Sequence, residues 1–154
     1  MSPRPKRQGP PQNASGELPL ADYRLLAEFR FLLARFLAFS AKAAHKAGLA
    51  PRQHQALLAI KGHRAGSQVT VGDLAQRLGI RHHSAVGLVN RLVDSGYLVR
   101  RTDLEDRRRA FLFLTAKSDA VLAGLSAAHR AELRRIAPLL GPLLRQLGSP
   151  DQRS

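Results

Sequence analysis

The chain contains no cysteine among its 154 residues. That rules out disulfides, thiolate zinc sites and any thiol redox switch, and it suits a reducing compartment. Acidic residues are scarce, 11 Asp+Glu against 25 Lys+Arg, for a formal charge of +14. An imbalance of this size directs the chain toward polyanions: DNA, RNA or an anionic membrane surface. Long apolar runs are missing as well. No stretch reaches the roughly 18 residues that a membrane span needs, and the basic N-terminus lacks the apolar centre of a secretion signal. The expected setting is cytoplasmic, with no membrane partner. Also absent are a nucleophile elbow, a phosphate loop and any carboxylate pair or metal-ligand spacing that would suggest catalysis. No catalytic residue, metal or cofactor is assigned.

What is present is an ordinary hydrophobic fraction of 44%, enough for one domain or for one domain with a dimerisation extension. Residues 1–17, rich in Pro, Gly, Ser and charge, read as a disordered basic tail. From Leu20 to about Lys46, Leu25, Leu26, Phe29, Leu32, Leu33, Phe36 and Leu37 recur at helical spacing, with Phe31 and Phe39 widening the stripe. A helix apolar on more than one face needs a cover from outside its own small domain, and a partner chain is the natural one. Gly48 ends it. Pro51 opens a second helix, to about His63, with Leu57, Leu58 and Ile60 inward. Residues 64–67 form a turn before a short strand at 68–70.

Thr70, followed three residues later by Asp73, marks a helix start. That helix, Val71 to Leu78, carries Leu74, Ala75 and Leu78 on one side and ends at Gly79. A second runs from about His82 to Ser95, with Val86, Val89 and Leu92 spaced for the core, and closes at Gly96. Two short helices across a tight Leu-Gly-Ile turn fit a helix-turn-helix. Tyr97–Arg101 and Ala110–Thr115 then read as hairpin strands, with Ala110, Leu112 and Leu114 on one face and Arg107, Arg108 and Arg109 at the tip. A helix suited to a major groove beside a cationic hairpin suited to a minor groove is the layout of a duplex-DNA reader. Thr115 caps a last helix from Lys117 to about Arg135. Pro138 and Gly141-Pro142 break or kink the pattern ahead of a segment at 143–147 and a flexible tail at 148–154.

This order, with Asp106, Arg108, Leu112, Leu114 and Thr115 in the wing and VTVGDLAQRLGI and HSAVGLVNRLVDSGYLVRR before it, resembles the MarR family of winged-helix transcription regulators. The resemblance covers residues 20–147. It implies a mainly α fold with a small β-wing, in which a winged helix-turn-helix lobe at about 51–115 adjoins a helical dimerisation lobe at about 20–47 and 116–147. It further implies a homodimer whose first and last helices interlock, on the nucleoid, with each subunit reading half of a pseudo-palindromic operator. The function so implied is a sequence-specific regulator, more in the manner of a repressor than of an activator. A non-specific architectural DNA- or RNA-binding winged helix stands as the alternative.

On that geometry the recognition helix enters the major groove by its first turn, placing Arg81, His82, His83, Ser84, Val86 and Gly87 near base edges or phosphates. Arg81 suits guanine O6/N7 or a phosphate. It departs from the family, which has Ser or Thr there as a cap, and arginine caps poorly. Gly87 also departs, since a polar or basic residue is usual there, and glycine costs about 1 kcal/mol inside a helix; close backbone approach to DNA is one explanation. His82 and His83, about 100° apart on a helix, are poorly placed to share a metal. In the wing, Asp106 orients the tip by pairing with a nearby arginine, Arg108 matches the family's minor-groove arginine, and Arg107 and Arg109 meet phosphates. Arg100 and Arg101 reach phosphates or are solvated. Phe111 and Phe113 fall on wing positions often polar in the family, so either both wing faces are packed or an aromatic patch is exposed. Inducible members bind small phenolic or amphipathic anions between the lobes. Here that junction would hold Phe36, Phe39, His45 and His54, with core packing as the other reading of each.

Overall fold

The computed structural model describes residues 18–63 and 68–148. Its elements run α1 (Leu20–Lys46), α2 (Pro51–Lys61), β1 (Val69–Thr70), α3 (Val71–Leu78), α4 (His82–Asp94), β2 (Leu98–Thr102), β3 (Ala110–Leu114) and α5 (Ala116–Gly148). The fold is thus mainly helical with a three-stranded antiparallel sheet, in the order β1-β3-β2. The tails at 1–17 and 149–154 and the turn expected at 64–67 lie outside the described residues.

Local chemistry sets the boundaries. Gly48, Gly79 and Gly96 take positive φ values of 79°, 63° and 76°, a backbone region closed at low cost only to glycine. They end α1, α3 and α4. At the start of α3 the Thr70 hydroxyl accepts from Asp73 N at 3.1 Å, while Asp73 Oδ2 accepts from Thr70 N at 2.9 Å and from its hydroxyl at 2.8 Å. These bonds, foremost that from the Thr70 backbone, hold the Asp73 carboxyl below the usual carboxylate range. Pro51 opens α2 as expected, with Gln53 Oε1 accepting from Ala50 N at 2.8 Å.

The core lies between α2, α3, α4 and the sheet. Leu57, Leu74, Val89, Leu92 and Leu98 are buried there with Ala56, Leu88 and Leu112, and Leu122 and Leu125 of α5 join from above. Two expected core positions are corrected. Leu58 is 46% exposed, because its neighbours Leu57 and Ile60 already fill the inward face of α2. Val86 is half-buried, and Ala85, Leu88, Val89 and Leu92 form the inner stripe of α4.

α5 corrects the break expected at the C-terminal prolines. It is one helix of 33 residues with Pro138 and Pro142 inside it. Each proline removes one N–H donor to the residue four back, but the surrounding turns keep their bonds, and α1 packs along α5. α1 buries only Leu32 and Ala44. Leu26, Phe31, Leu33 and Leu37 of α1 and Leu133, Leu139 and Leu144 of α5 stay exposed in the single chain.

Candidate nucleic-acid interface

α4 begins without a side-chain cap. Its N-cap is Arg81, extended at φ −67° and ψ 150°, and among the described residues no side-chain cap bond forms there. The first helical bond runs from Ala85 N to Arg81 O at 3.1 Å. The N–H groups ahead of it therefore have no partner within the helix, and the positive end of the helix dipole coincides with them. Arg81, His82, His83 and Ser84 are all exposed around this end, whereas Val86 and Gly87 are half-buried one turn in. A Cβ added at Gly87 would meet only Arg91 Nη1, at 3.6 Å. Nothing among the described residues of the free chain therefore requires glycine there.

The other end of α4 is tied down. Lys117 Nζ donates to Ser95 O at 2.7 Å and lies 4.3 Å from the Tyr97 ring centre. The Thr115 hydroxyl donates to Gly96 O at 2.7 Å, and buried Ser118 donates its hydroxyl to Tyr97 O. Three side chains at the start of α5 thus satisfy three consecutive carbonyls at the exit of α4. Thr115 also accepts from Ser118 N at 3.4 Å, so it does cap α5. A second tie between α2 and α5 is the exposed pair Lys61–Asp119, at 2.7 Å.

In the wing, β2 and β3 pair from Leu98↔Leu114 to Thr102↔Ala110. The loop between them is organised by two aspartates through the backbone. Asp106 Oδ1 accepts from Arg108 N at 3.0 Å, Arg109 N donates to Asp106 O at 2.9 Å, and Asp103 Oδ1 accepts from Glu105 N at 3.0 Å. The expected pairing of Asp106 with an arginine side chain is not what forms, since among the described residues Asp106 makes no ion pair. A two-residue Asx-type bond is the shorter reach. Arg107, Arg108 and Arg109 are exposed and without ion-pair partners among the described residues.

The two wing phenylalanines are resolved by their neighbours. Phe111 is buried and Phe113 half-buried. The Arg109 guanidinium stands 5.7 Å from the Phe111 ring centre and that of Arg101 4.9 Å from the Phe113 ring centre. The wing is therefore covered on both faces, by core on one and by stacked cations on the other.

Between the lobes, the structure brings together three of the four residues expected there, and adds a fourth. Phe36 and Phe39 of α1 each meet the His129 ring edge-on at 5.8 Å between centres, and His54 of α2 faces it at 5.0 Å. His129, on α5, has its Nδ1 against Leu125 O at 2.5 Å and its Nε2 against Ser40 Oγ at 2.7 Å. A carbonyl only accepts, so Nδ1 carries a proton toward Leu125 O, while Nε2 and the Ser40 hydroxyl share the second bond. His54 is 4% exposed, and burial, aided by His129, lowers its pKa below the ordinary histidine value. His45 is not part of the cluster; it is exposed in the last turn of α1. The sequence signal for His129 was its place on the α5 face that also carries Leu122 and Leu125, a weak one without the fold. A separate open hollow of about 510 Å³ lies between α2 and α3, lined by Ala59, Gly62, His63, Asp73, Gln76 and Arg77. Among the described residues no three His, Asp or Glu side chains group as a metal site, and no helix is long and apolar enough to cross a membrane.

Comparison with known proteins fits this geometry. A family model described as MarR family matches residues 47–109. An uncharacterized HTH-type transcriptional regulator, YfiV of Bacillus subtilis (strain 168), is 30% identical over 90 residues, 58% of this chain and 54% of the relative. The chain thus spans about half the length of that relative. The same fold occurs in AbsC, a MarR family transcriptional regulator from Streptomyces coelicolor. It superposes with a TM-score of 0.66 at 17% identity over 89% of this chain and 87% of AbsC. A mutant of S. aureus MepR bound to an oligodeoxyribonucleotide superposes with a TM-score of 0.63 at 17% identity, over 75% and 82% of the two chains.

Proposed function

We propose, from the match of residues 47–109 to the MarR family model, that this chain is a DNA-binding transcription regulator that acts as a homodimer on a pseudo-palindromic operator. The observation that carries this is the exposed basic set, without ion-pair partners among the described residues. The uncapped first turn of α4, with Arg81, His82, His83 and Ser84, stands with the wing-tip arginines Arg107, Arg108 and Arg109 in one winged helix-turn-helix. The helix end offers N–H donors and dipole to phosphates, and the first-turn side chains reach base edges in the major groove, with Val86 and Gly87 against its floor. Arg108 enters the minor groove, whose narrow stretches concentrate negative potential. The Asp106 carboxylate shapes the tip that presents it. The likeness to a MepR bound to an oligodeoxyribonucleotide supports the same use of the fold.

The dimer is supported by the apolar faces of α1 and α5, where Leu26, Phe31, Leu33, Leu37, Leu133, Leu139 and Leu144 lie exposed in one chain. So many exposed apolar side chains on two packed helices call for a second copy. The lobes then divide as about 51–115 for DNA and about 20–47 with 116–147 for dimerisation. Repression follows from occupying the operator. The aromatic cluster of Phe36, Phe39, His54 and His129, where α1, α2 and α5 meet, is where a small phenolic or amphipathic effector would act. Selection of bound duplexes from a random DNA pool tests the reading. Enrichment of an inverted repeat supports it, whereas recovery of unrelated sequences at equal affinity supports a non-specific architectural protein instead.

A further inference from the structure

The outer face of the wing sorts its arginines. Side chains alternate along a strand, so Val99 and Arg101 of β2 share a face with Phe111 and Phe113 of β3, opposite the buried Leu98 and Leu112. The register places Arg101 across from Phe111 and Val99 across from Phe113. Arg101 nevertheless stacks diagonally, on Phe113 at 4.9 Å, while Arg109 takes Phe111 at 5.7 Å. The two cations do not have the same surroundings. Phe111 is buried next to Thr70 of β1, its ladder partner, and the Arg109 charge is felt by the Asp73 carboxylate at the start of α3. Arg109 is itself exposed. Arg101 is exposed, and Phe113 is half-buried beneath it. Among the described residues Arg101 has no carboxylate partner, so its charge is free for an external anion. Arginine in particular suits this place, because its planar, weakly hydrated guanidinium stacks on a ring and still presents its edge donors to a phosphate.

A hairpin tip entering the minor groove lies between two phosphate rows. Residues near the tip on its two faces therefore approach opposite walls. Resting on the DNA-binding reading above, we propose that Arg101 is a phosphate ligand of the wing and that Phe113 is its positioning residue. The ring lowers the ordering cost that a free arginine would incur on binding. Arg101 then joins the tip arginines.

The test uses the full chain and a labelled random-sequence DNA duplex, with binding followed across a salt series for the wild type, Arg101→Ala, Arg101→Lys, Arg109→Ala, Phe113→Leu and the Phe113→Leu/Arg101→Ala double variant. Arg101→Ala is expected to weaken binding and to reduce the magnitude of the salt slope by about one. Arg101→Lys is expected to keep the slope. Phe113→Leu is expected to weaken binding about two- to fivefold in the wild-type background, with the slope retained, and to have no effect in the Arg101→Ala background. Arg109→Ala, which removes a wing-tip arginine of the same DNA-binding set, is expected to reduce the slope as well. Phe113→Met, read in the same cycle, replaces Phe113→Leu if the latter fails to fold. An unchanged slope for Arg101→Ala, or an equal loss from Phe113→Leu with and without Arg101, overturns the assignment while DNA binding stands. A wild-type chain that binds no duplex overturns both.

Discussion

Substituting Gly87 by alanine should stabilise the protein and weaken its hold on DNA. Gly87 lies inside α4, five residues past its start. Its backbone does not take a positive φ, and an added Cβ would meet only Arg91 Nη1 at 3.6 Å, ordinary van der Waals contact with the end of a flexible side chain. The substitution therefore gains most of the intrinsic helix preference of alanine over glycine, about 0.8–1 kcal/mol. For a chain of this size that raises the melting temperature by roughly 2–4 °C, provided protomer concentration is held fixed, since association stabilises a dimer. The effect on binding has the opposite sign. If the first turns of α4 lie in the major groove, the new methyl occupies space the DNA would take and displaces one contact of about 1–3 kcal/mol, on the order of a tenfold loss of affinity. Thermal unfolding by circular dichroism and fluorescence anisotropy with a selected duplex measure the two effects on one preparation. A variant that melts higher and binds as well as the wild type would refute the close approach of Gly87 to DNA. One that melts lower would refute the claim that the free chain has no use for glycine there.

Three further outcomes are expected. Arg108→Ala should weaken duplex binding markedly and leave the dimer intact by sedimentation; unchanged affinity at moderate salt would remove the wing tip from the mechanism. Ser118→Ala deletes a buried hydroxyl bond to Tyr97 O, a carbonyl that keeps Thr115 N as a second donor, so the cost should be about 1 kcal/mol in urea unfolding, and no change in midpoint would show the bond to be dispensable. His54 has its pKa lowered by burial and by His129, so the unfolded chain binds a proton there that the folded chain does not. Stability should therefore fall as pH drops below about 6.5 toward the lower folded value and level off beneath it. His54→Phe should lack that portion of the fall, and identical urea midpoint-versus-pH curves for the two proteins would contradict the assignment.

Most of the fold is legible in the residues because its punctuation is local. Gly48, Gly79 and Gly96 need positive φ, Pro51 fits a first helical turn, and Thr70 with Asp73 forms a reciprocal cap. Such signals act over three or four residues and survive any tertiary setting. Features that depend on packing were harder to read. Pro138 and Pro142 carry a local breaking tendency that the long α5, packed along α1, overrides. Leu58 and Leu57 are indistinguishable by composition, and only the orientation of α2 sends one to solvent. At the wing the arginine cluster is plain in the sequence, but the backbone bond from Arg108 N to Asp106 and the diagonal seat of Arg101 on Phe113 arise from loop geometry and strand register. His129 shows the same limit, since its partners Ser40, Phe36, Phe39 and His54 come from two other helices.

The central claim is that two copies of this chain read an inverted repeat through α4 and the wing. The most direct measurement is a footprint of the full chain on a duplex selected from a random pool, with stoichiometry from the same titration and a scrambled duplex as competitor. The account predicts two chains per duplex, protected half-sites centred about one helical turn apart, and competition by the scrambled duplex weaker by a factor on the order of 10³ or more. Equal competition by the scrambled duplex, or one chain on a single unpaired site, would contradict it.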